Sequence, residues 1–573
     1  MTPGSSSTPA VTAIPIVVPL GFAGSRHLLP LLPQGEHHSP AQIERFHASL
    51  QSQLVDVLRR LPGELGLSRA HVFCGVSQIA IGADTVFTRA CAELKLPQRI
   101  FLPQSRDAYL SASGPEQRDD FAEAEIRAAL HLLDSPHVIE ESVVSDGSDR
   151  AMRFSDTNLE IIRECDLFVC LVRDEAEGQP GGTLELLNKA KRLGYPVLEI
   201  RAALHDSEAV CTQTRHNWPS HAPSTGSGID RCSDSAGAGA PPWQAPLLPA
   251  QLMGTTRLGS APMAAAEHIL TDARGRLAAL AAISNDEATL HRGKFRYAAA
   301  YIIGAHLSAT VCAVVGLTVA SDAATTAWLL RVEWLLLVEL LLLASGVATH
   351  FALHHSGNVK RWAIYRLTAE LCTSILAISN LRISMLNLYN MPFPSGLLPL
   401  LRTLHVLQLI ACRTGNAAWP ELRDAYFKER LDGQISYYSR ERTRGLYRLA
   451  IANGVFRGAS SVAFGITLVK LALPYLGVAQ LVPVNTLIDT AVSVLAIALP
   501  MVAVAALSLA ASFDLEARVH TYEETLGDLE RARQRMQDAD TEREFSQLAL
   551  RAEHELLSET ANWASRRSFT GVS

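Results

Sequence analysis

The sequence predicts an α/β Rossmann-like parallel sheet in an N-terminal domain, followed by an all-α membrane domain with four transmembrane helices. Two observations carry that prediction. Short apolar strands alternate with helices and glycine turns up to about residue 202, the pattern of a parallel sheet. Four apolar runs follow, near 298–320, 328–353, 459–482 and 490–513, each about as long as the roughly 20 residues a helix needs to cross hydrocarbon. The last, 491–513, contains no charged side chain.

Composition narrows the function classes. The chain has 573 residues, 48% of them hydrophobic, and the apolar excess lies after residue 295. Its net charge of -6 gives no sign of a nucleic-acid partner. The nine cysteines lack paired metal-ligand spacing, so no metal site is expected, and they read as reduced thiols. Residues 1–15 lack a basic region ahead of the first apolar stretch, which makes them a poor signal peptide.

The elements of the head follow in order. Residues 14–20 read as a buried strand that ends in a turn of Gly21, Phe22, Ala23, Gly24, Ser25 and Arg26. Residues 71–76 form a second strand, leading into Ser77 and on to Gly82, Ala83 and Asp84. Residues 99–102 give a third. Residues 166–172 give another, followed by a turn that closes with Gly181, Gly182 and Thr183, the helix 184–192 and the strand 196–200. Glycine lets backbone amides approach a phosphate, and a helix N-terminus adds partial positive charge. Each turn alone is equally a tight structural turn. All three, however, fall at the carboxyl ends of strands, where open α/β sheets bind ligands. Arg26 suits a phosphate because its fork matches the oxygens. Asp84 is either a ribose ligand or a helix cap.

Residues 204–262, rich in Pro, Gly, Ser and Ala, read as a flexible tether. Beyond it the chain turns helical, with a capping box at Ser284 and Glu287. Short loops pair the apolar runs into two hairpins. Basic residues flank them on one side: Arg292, Lys294 and Arg296 before the first run, Lys360, Arg361 and Arg366 after the second, Arg440 to Arg457 before the third, and Arg518 after the fourth. The positive-inside rule therefore places both chain ends in the cytoplasm of a multi-pass protein of the inner (cell) membrane. Arg331 and Glu333 sit near a span end and can snorkel. Glu339 and Lys470 lie deeper, and ionisable groups there face protein, water or a pore. A Glu339–Lys470 pair is one arrangement, and a plain helix–helix contact is the alternative. Residues 295–300 resemble 447–452, and 365–371 resemble 522–529, so the hairpins read as repeats. Residues 395–411 are apolar but interrupted by Pro399, Arg402 and His405, and read as an interfacial or buried helix. Residues 516–558, charged in both signs, read as a helix outside the membrane.

The pieces GFAGSRHL (21–28), GVSQIAIGAD (75–84) and PGGTLELLNKAKRLGYPVLEI (180–200) resemble the SLOG superfamily, which includes DprA-like and Lonely-guy nucleotide-processing proteins. The resemblance spans residues 12–203. It implies a nucleotide-derived ligand, with Gly181, Gly182 and Thr183 on phosphate and Gly24, Ser25 and Arg26 opposite. The hydrolytic branch places a glutamate three residues after the threonine of this turn. Here Leu186 holds that place, and Glu185 stands one residue early, turned about 100° around a helix. Ligand sensing is therefore expected over turnover. The alternative is a tethered nucleotide hydrolase using Glu185 and Arg26. Residues 434–438 (QISYY) and 553–563 (EHELLSETANW) resemble the SLATT family of two-span effectors. That resemblance implies one such unit over 264–380, connecting helices over 381–430, and a second unit over 431–566. It also implies a pore-forming homo-oligomer in prokaryotic antiviral or conflict defence.

Overall fold

The structure, a computed structural model, describes residues 15–29, 38–67, 71–110, 123–145, 149–174, 182–205, 208–219, 272–320, 326–385, 393, 397–413, 418–472 and 486–569. Gly181 lies outside the described residues, as do most of the stretch read as a tether and both hairpin loops (321–325 and 473–485). The side chains of Arg331 and Glu333 also lie outside them. The chain divides into two compact units, one of Met1–Leu280 with Ile378–Asn416, the other of Ala281–Ala377 with Ala417–Ser573.

The first unit is an α/β sheet. Its strands are β1 (Ile16–Gly24), β2 (His71–Ser77), β3 (Gln98–Leu102), β4 (Val138–Val143), β5 (Leu167–Arg173), β6 (Val197–His205) and β7 (Glu208–His216). The order is β4-β3-β2-β1-β5-β6-β7. The pairings are parallel except β6 with β7. The helices are α1 (Pro40–Glu64), α2 (Ala83–Glu93), α3 (Arg106–Leu110), α4 (Glu123–Leu133), α5 (Arg150–Glu164) and α6 (Thr183–Arg192). Alternation along β1 sends its side chains to opposite faces. Phe22 stacks on Phe87 of α2 with centroids 4.2 Å apart. Its neighbour Ala23 joins a cluster with Ile161 and Ile162 of α5 and Leu186 and Leu187 of α6. Burial on both faces is why the central strands read as unbroken apolar runs.

Two features differ from the sequence reading. First, β1 runs on through Gly24, because Leu20–Gly24 pairs with Leu167–Leu171 of β5. Gly21 is therefore a strand residue. A Cβ there would lie 2.7 Å from Cys165 Sγ, so glycine is what lets the chain ahead of β5 close in. Second, 208–216, inside the stretch read as a tether, forms the antiparallel edge strand β7. The Ala209 amide donates to Ser49 Oγ on α1 at 3.3 Å, and Arg215 pairs with Glu64 at 2.6 Å.

The apolar segment at 395–411 is the buried alternative, and it belongs to this unit. Between α6 and it in the chain come α7 (Ala273–Ala320), α8 (Thr326–His355) and α9 (Asn358–Asn380), and the segment itself is α10 (Leu398–Arg413). Helix α10 packs on β1 and β4. Strand β5 pairs only from Leu20 onward, which leaves the Val17 amide to another acceptor. Thr403 Oγ1 accepts it at 3.0 Å. Arg402 pairs with Asp166 just ahead of β5. His405 lies 3.9 Å from Glu140, which also pairs with Arg99, and Arg99 reaches Glu164 at 2.8 Å. Burial would raise the Glu140 carboxyl, but the neighbouring His405 and Arg99 overrule it and hold the group at about 2.

The second unit is helical. It takes in most of α7 and α9, all of α8, α11 (Trp419–Ala425), a π-helical turn at Tyr426–Leu431, α12 (Asp432–Ala472), α13 (Thr486–Ser512), α14 (Leu515–Gln537) and α15 (Glu542–Phe569). Among the described residues, four of its helices are long and apolar enough to cross a membrane, within Ala273–Gly316, Trp334–His355, Trp419–Ala472 and Ala491–Gln537. Leu336, Leu340, Leu341, Phe464, Leu471 and Val504 are exposed on them. This is the reverse of a water-soluble bundle, and hydrocarbon is the solvent such faces match. The protein is therefore membrane-associated. In each half, a long helix is followed by a shorter apolar one and then by a helix of 23 residues, α9 or α14. In the first hairpin, Tyr301 donates to Ser345 at 2.9 Å, and Gly346 makes room for His306. In the second, Lys470 donates to Ser493. Outside the apolar stretches, Arg430 on the π turn holds Glu553 at 2.7 Å and Glu370 at 2.8 Å.

Candidate functional site

The sheet order reverses between β1 and β5: the chain builds outward from β1 to β4 on one side and from β5 to β7 on the other. That gap is the topological switch point, where the carboxyl ends of an open parallel sheet leave a crevice. The predicted residues divide there into two groups. Gly24, Ser25 and Arg26 leave β1, while Gly182 and Thr183 open α6, and all five are half-exposed. Thr183 Oγ1 donates to the Gly24 carbonyl at 2.8 Å, which ties the two turns together. Gly182 is the N-cap of α6 and no side chain caps that end, so the first-turn amides have no side-chain acceptor there.

The second group is buried behind the first. Gly82, Ala83 and Asp84 start α2, but the Ala83 amide is taken by the Ser25 carbonyl at 3.1 Å. Gly82 adopts φ +81°, and a Cβ there would lie 2.1 Å from the Arg26 carbonyl oxygen. Gly24 is held equally close: its Cβ would meet that of Ala83 at 2.1 Å. These glycines let β1, the turn after it and the start of α2 pack closely, and the Ala83 amide is already taken within that contact. Ser77 ends β2 at 1% exposure, and its hydroxyl has no hydrogen-bond partner among the described residues. Asp84 Oδ2 accepts the Ala80 amide at 3.3 Å, so this carboxylate braces the turn from within. Burial pushes the Asp84 carboxyl up to about 7, against the pull of the Ala80 amide and the Arg26 charge.

Among the described residues, two arginines bring positive charge to these turns. The Arg26 guanidinium lies 4.7 Å from the Phe154 ring centroid, a cation–π contact that fixes its stem. Arg173, the last residue of β5, was not among the expected residues. Its amide meets Ser25 Oγ at 3.4 Å and its guanidinium donates to the Leu29 carbonyl at 3.5 Å. A basic residue directly after an apolar strand is the signal that marks it. Glu185 lies in the first turn of α6 and is exposed, as a charge favoured by the helix dipole would be. The residue three places after Thr183, Leu186, is buried in the core. In the second unit, Glu339 is half-buried on α8 and forms no ion pair among the described residues, so the Glu339–Lys470 pair is not made.

Fold and geometry together define a membrane-associated protein that carries an α/β head with an open switch-point ledge. Comparison with protein-family models, curated proteins and solved structures finds no match to the chain.

Proposed function

We propose that the protein is a membrane effector whose head senses a nucleotide-derived anion and whose helices then form or open a pore. The observation that carries the sensing step is the ledge at the β1/β5 switch point, where Gly24, Ser25 and Arg26 face Gly182 and Thr183 of the uncapped α6 N-terminus across one hydrogen bond. Phosphate suits amides at a helix N-terminus, and Arg26 and Arg173 add charge. The family resemblance in the sequence points the same way, toward nucleotide-derived signals and prokaryotic conflict defence.

The effector step is supported by the four apolar helices and by the path of the chain. The stretch that joins the two hairpins, Ile378–Asn416, is folded into the α/β unit through α10. Ligand binding that shifts the sheet therefore acts on a segment covalently linked to both hairpins. For such a switch the ligand must prefer one state, since equal affinity shifts nothing.

The test is ligand capture. Full-length protein purified in detergent is exposed to a deproteinised nucleotide pool, and retained molecules are identified by mass spectrometry. The expected result is a phosphate-containing nucleotide derivative retained by the native chain and lost with Gly182→Asp, which sets a carboxylate at the α6 N-cap. Retention unchanged by Gly182→Asp and by Arg26→Ala contradicts the sensing step. Release of free base that disappears in Glu185→Ala would replace sensing with hydrolysis.

A further inference from the structure

A second cavity, in the helical unit, takes no part in that reading. It encloses about 280 Å³, close to the lower end of the range of roughly 300–1,000 Å³ typical of small-molecule sites. Helices α9, α14 and α15 wall it. Each contributes an arginine: Arg366, Arg518 and Arg566. Trp563 and Tyr522 supply flat aromatic walls. The Arg366 guanidinium lies 5.5 Å from the Trp563 centroid, and Trp563 stands edge-on to Trp362 with centroids 4.9 Å apart. The Arg518 guanidinium in turn lies 5.8 Å from the Trp362 centroid. Arg366 and Arg518 are thus shelved on indole rings.

Two carboxylates also face the cavity, Glu559 and Asp514. Burial holds the Glu559 carboxyl above the usual range in spite of the Arg366 charge, which weakens its negative charge. Asp514 is solvent-exposed and adopts φ 49°, a left-handed conformation at the joint between α13 and α14. Three arginines against two carboxylates, one weakened by burial, leave the cavity net positive. Its place in the chain is equally informative. Asp514 is two residues past the end of α13, the most apolar helix, and α9 begins three residues past the end of α8. A cationic site directly beyond two spans lies at the depth where anionic headgroups and soluble anions both reach.

We propose that this cavity binds a phosphate-bearing anion, held by Arg366, Arg518 and Arg566 and flanked by Trp563 and Tyr522. Guanidinium forks match phosphate oxygens in a bidentate geometry, and planar aromatic walls exclude competing water. An occupant bridging α9, α14 and α15 fixes the extramembrane helices that continue two of the spans.

Tryptophan fluorescence of the full-length chain tests this in two arms. In one arm, protein in a neutral detergent is titrated with inorganic phosphate and with ATP. In the other, protein in phosphatidylcholine nanodiscs is compared with protein in nanodiscs of equal parts phosphatidylcholine and phosphatidylglycerol. The expected result is a saturable change that is absent in Trp563→Phe and is weakened about tenfold or more by Arg518→Gln with Arg566→Gln, the scale set by losing charge-assisted hydrogen bonds. A response to phosphate or ATP identifies a free anion, and a response to phosphatidylglycerol alone identifies a headgroup. Arg566 is solvent-exposed, so the single Arg566→Gln variant decides the matter if the double variant loses helicity. No saturable change in either arm, or a change that Arg566→Gln and the double variant leave intact, overturns the proposal. Gly182→Asp should leave this binding unchanged, which separates its failure from failure of the head site.

Discussion

At the residue scale, Asp84 and Gly82 matter because they support the ledge from behind. Asp84 has a folded-state value of about 7 against an ordinary value of 3.8. A carboxyl raised in this way costs nothing below its unfolded value, and its cost grows as pH climbs toward the folded one. The Asp84 contribution is therefore intact below about pH 3.8 and lost as pH rises through about 7. Asp84→Asn should flatten that limb and stabilise the chain at pH 8 by on the order of a few kcal/mol, measured by denaturant unfolding across pH. A steeper loss of stability on the alkaline side in the variant would contradict the assignment. Glu140 runs the other way: held at about 2, it stabilises above its ordinary 4.5 and loses that effect as pH falls toward 2. For Gly82→Ala, the positive φ and the 2.1 Å approach to the Arg26 carbonyl act together. The expected cost is at least about 1–3 kcal/mol, read as a lower thermal midpoint with the Arg26 turn displaced. The sequence groups Gly82 and Asp84 with Gly24 and Arg26 at the ends of strands. It could not separate ledge from support, because a glycine that admits a ligand and a glycine that admits another backbone look alike until the facing atoms are known.

At the element scale, α10 shows what sequence reading misses and why. An apolar run broken by Pro399, Arg402 and His405 announces burial. Which surface buries it is set by Val17, Asp166 and Glu140, hundreds of residues away in the chain. Thr403→Val should leave the Val17 amide buried without an acceptor, at a cost of about 1–3 kcal/mol. Faster hydrogen exchange at the start of β1 is the direct readout, and unchanged protection there would rule out the contact. Strand β7 escaped for a different reason: its Glu, Thr, Gln and Arg are what an edge strand with a wet face carries, and they also suit a tether. Residues 553–563 carry a further long-range contact. Glu553, fully buried, accepts from Arg430 and from the Tyr426 hydroxyl at 3.1 Å. Glu553→Ala leaves the buried Arg430 with Glu370 as its remaining counter-charge and the Tyr426 hydroxyl without its acceptor, so it should cost up to about 3–5 kcal/mol, seen as loss of the extramembrane helices from the cooperative unfolding transition.

At the scale of the whole molecule, both halves of the fold class were legible because each rests on a local signal: strand–turn–helix alternation in the head and uninterrupted hydropathy in the spans. The discontinuity of the head was not legible, since it depends on a segment that leaves and returns. That discontinuity is what gives the proposed coupling a physical route, from the β1/β5 crevice through the sheet to the chain joining the two hairpins. Leakage from liposomes containing the full-length protein, measured with and without a cell-derived nucleotide extract, tests that coupling most directly. The account predicts extract-dependent leakage that Gly182→Asp abolishes while membrane insertion stays intact. Leakage that proceeds equally with every head variant and without extract would contradict it.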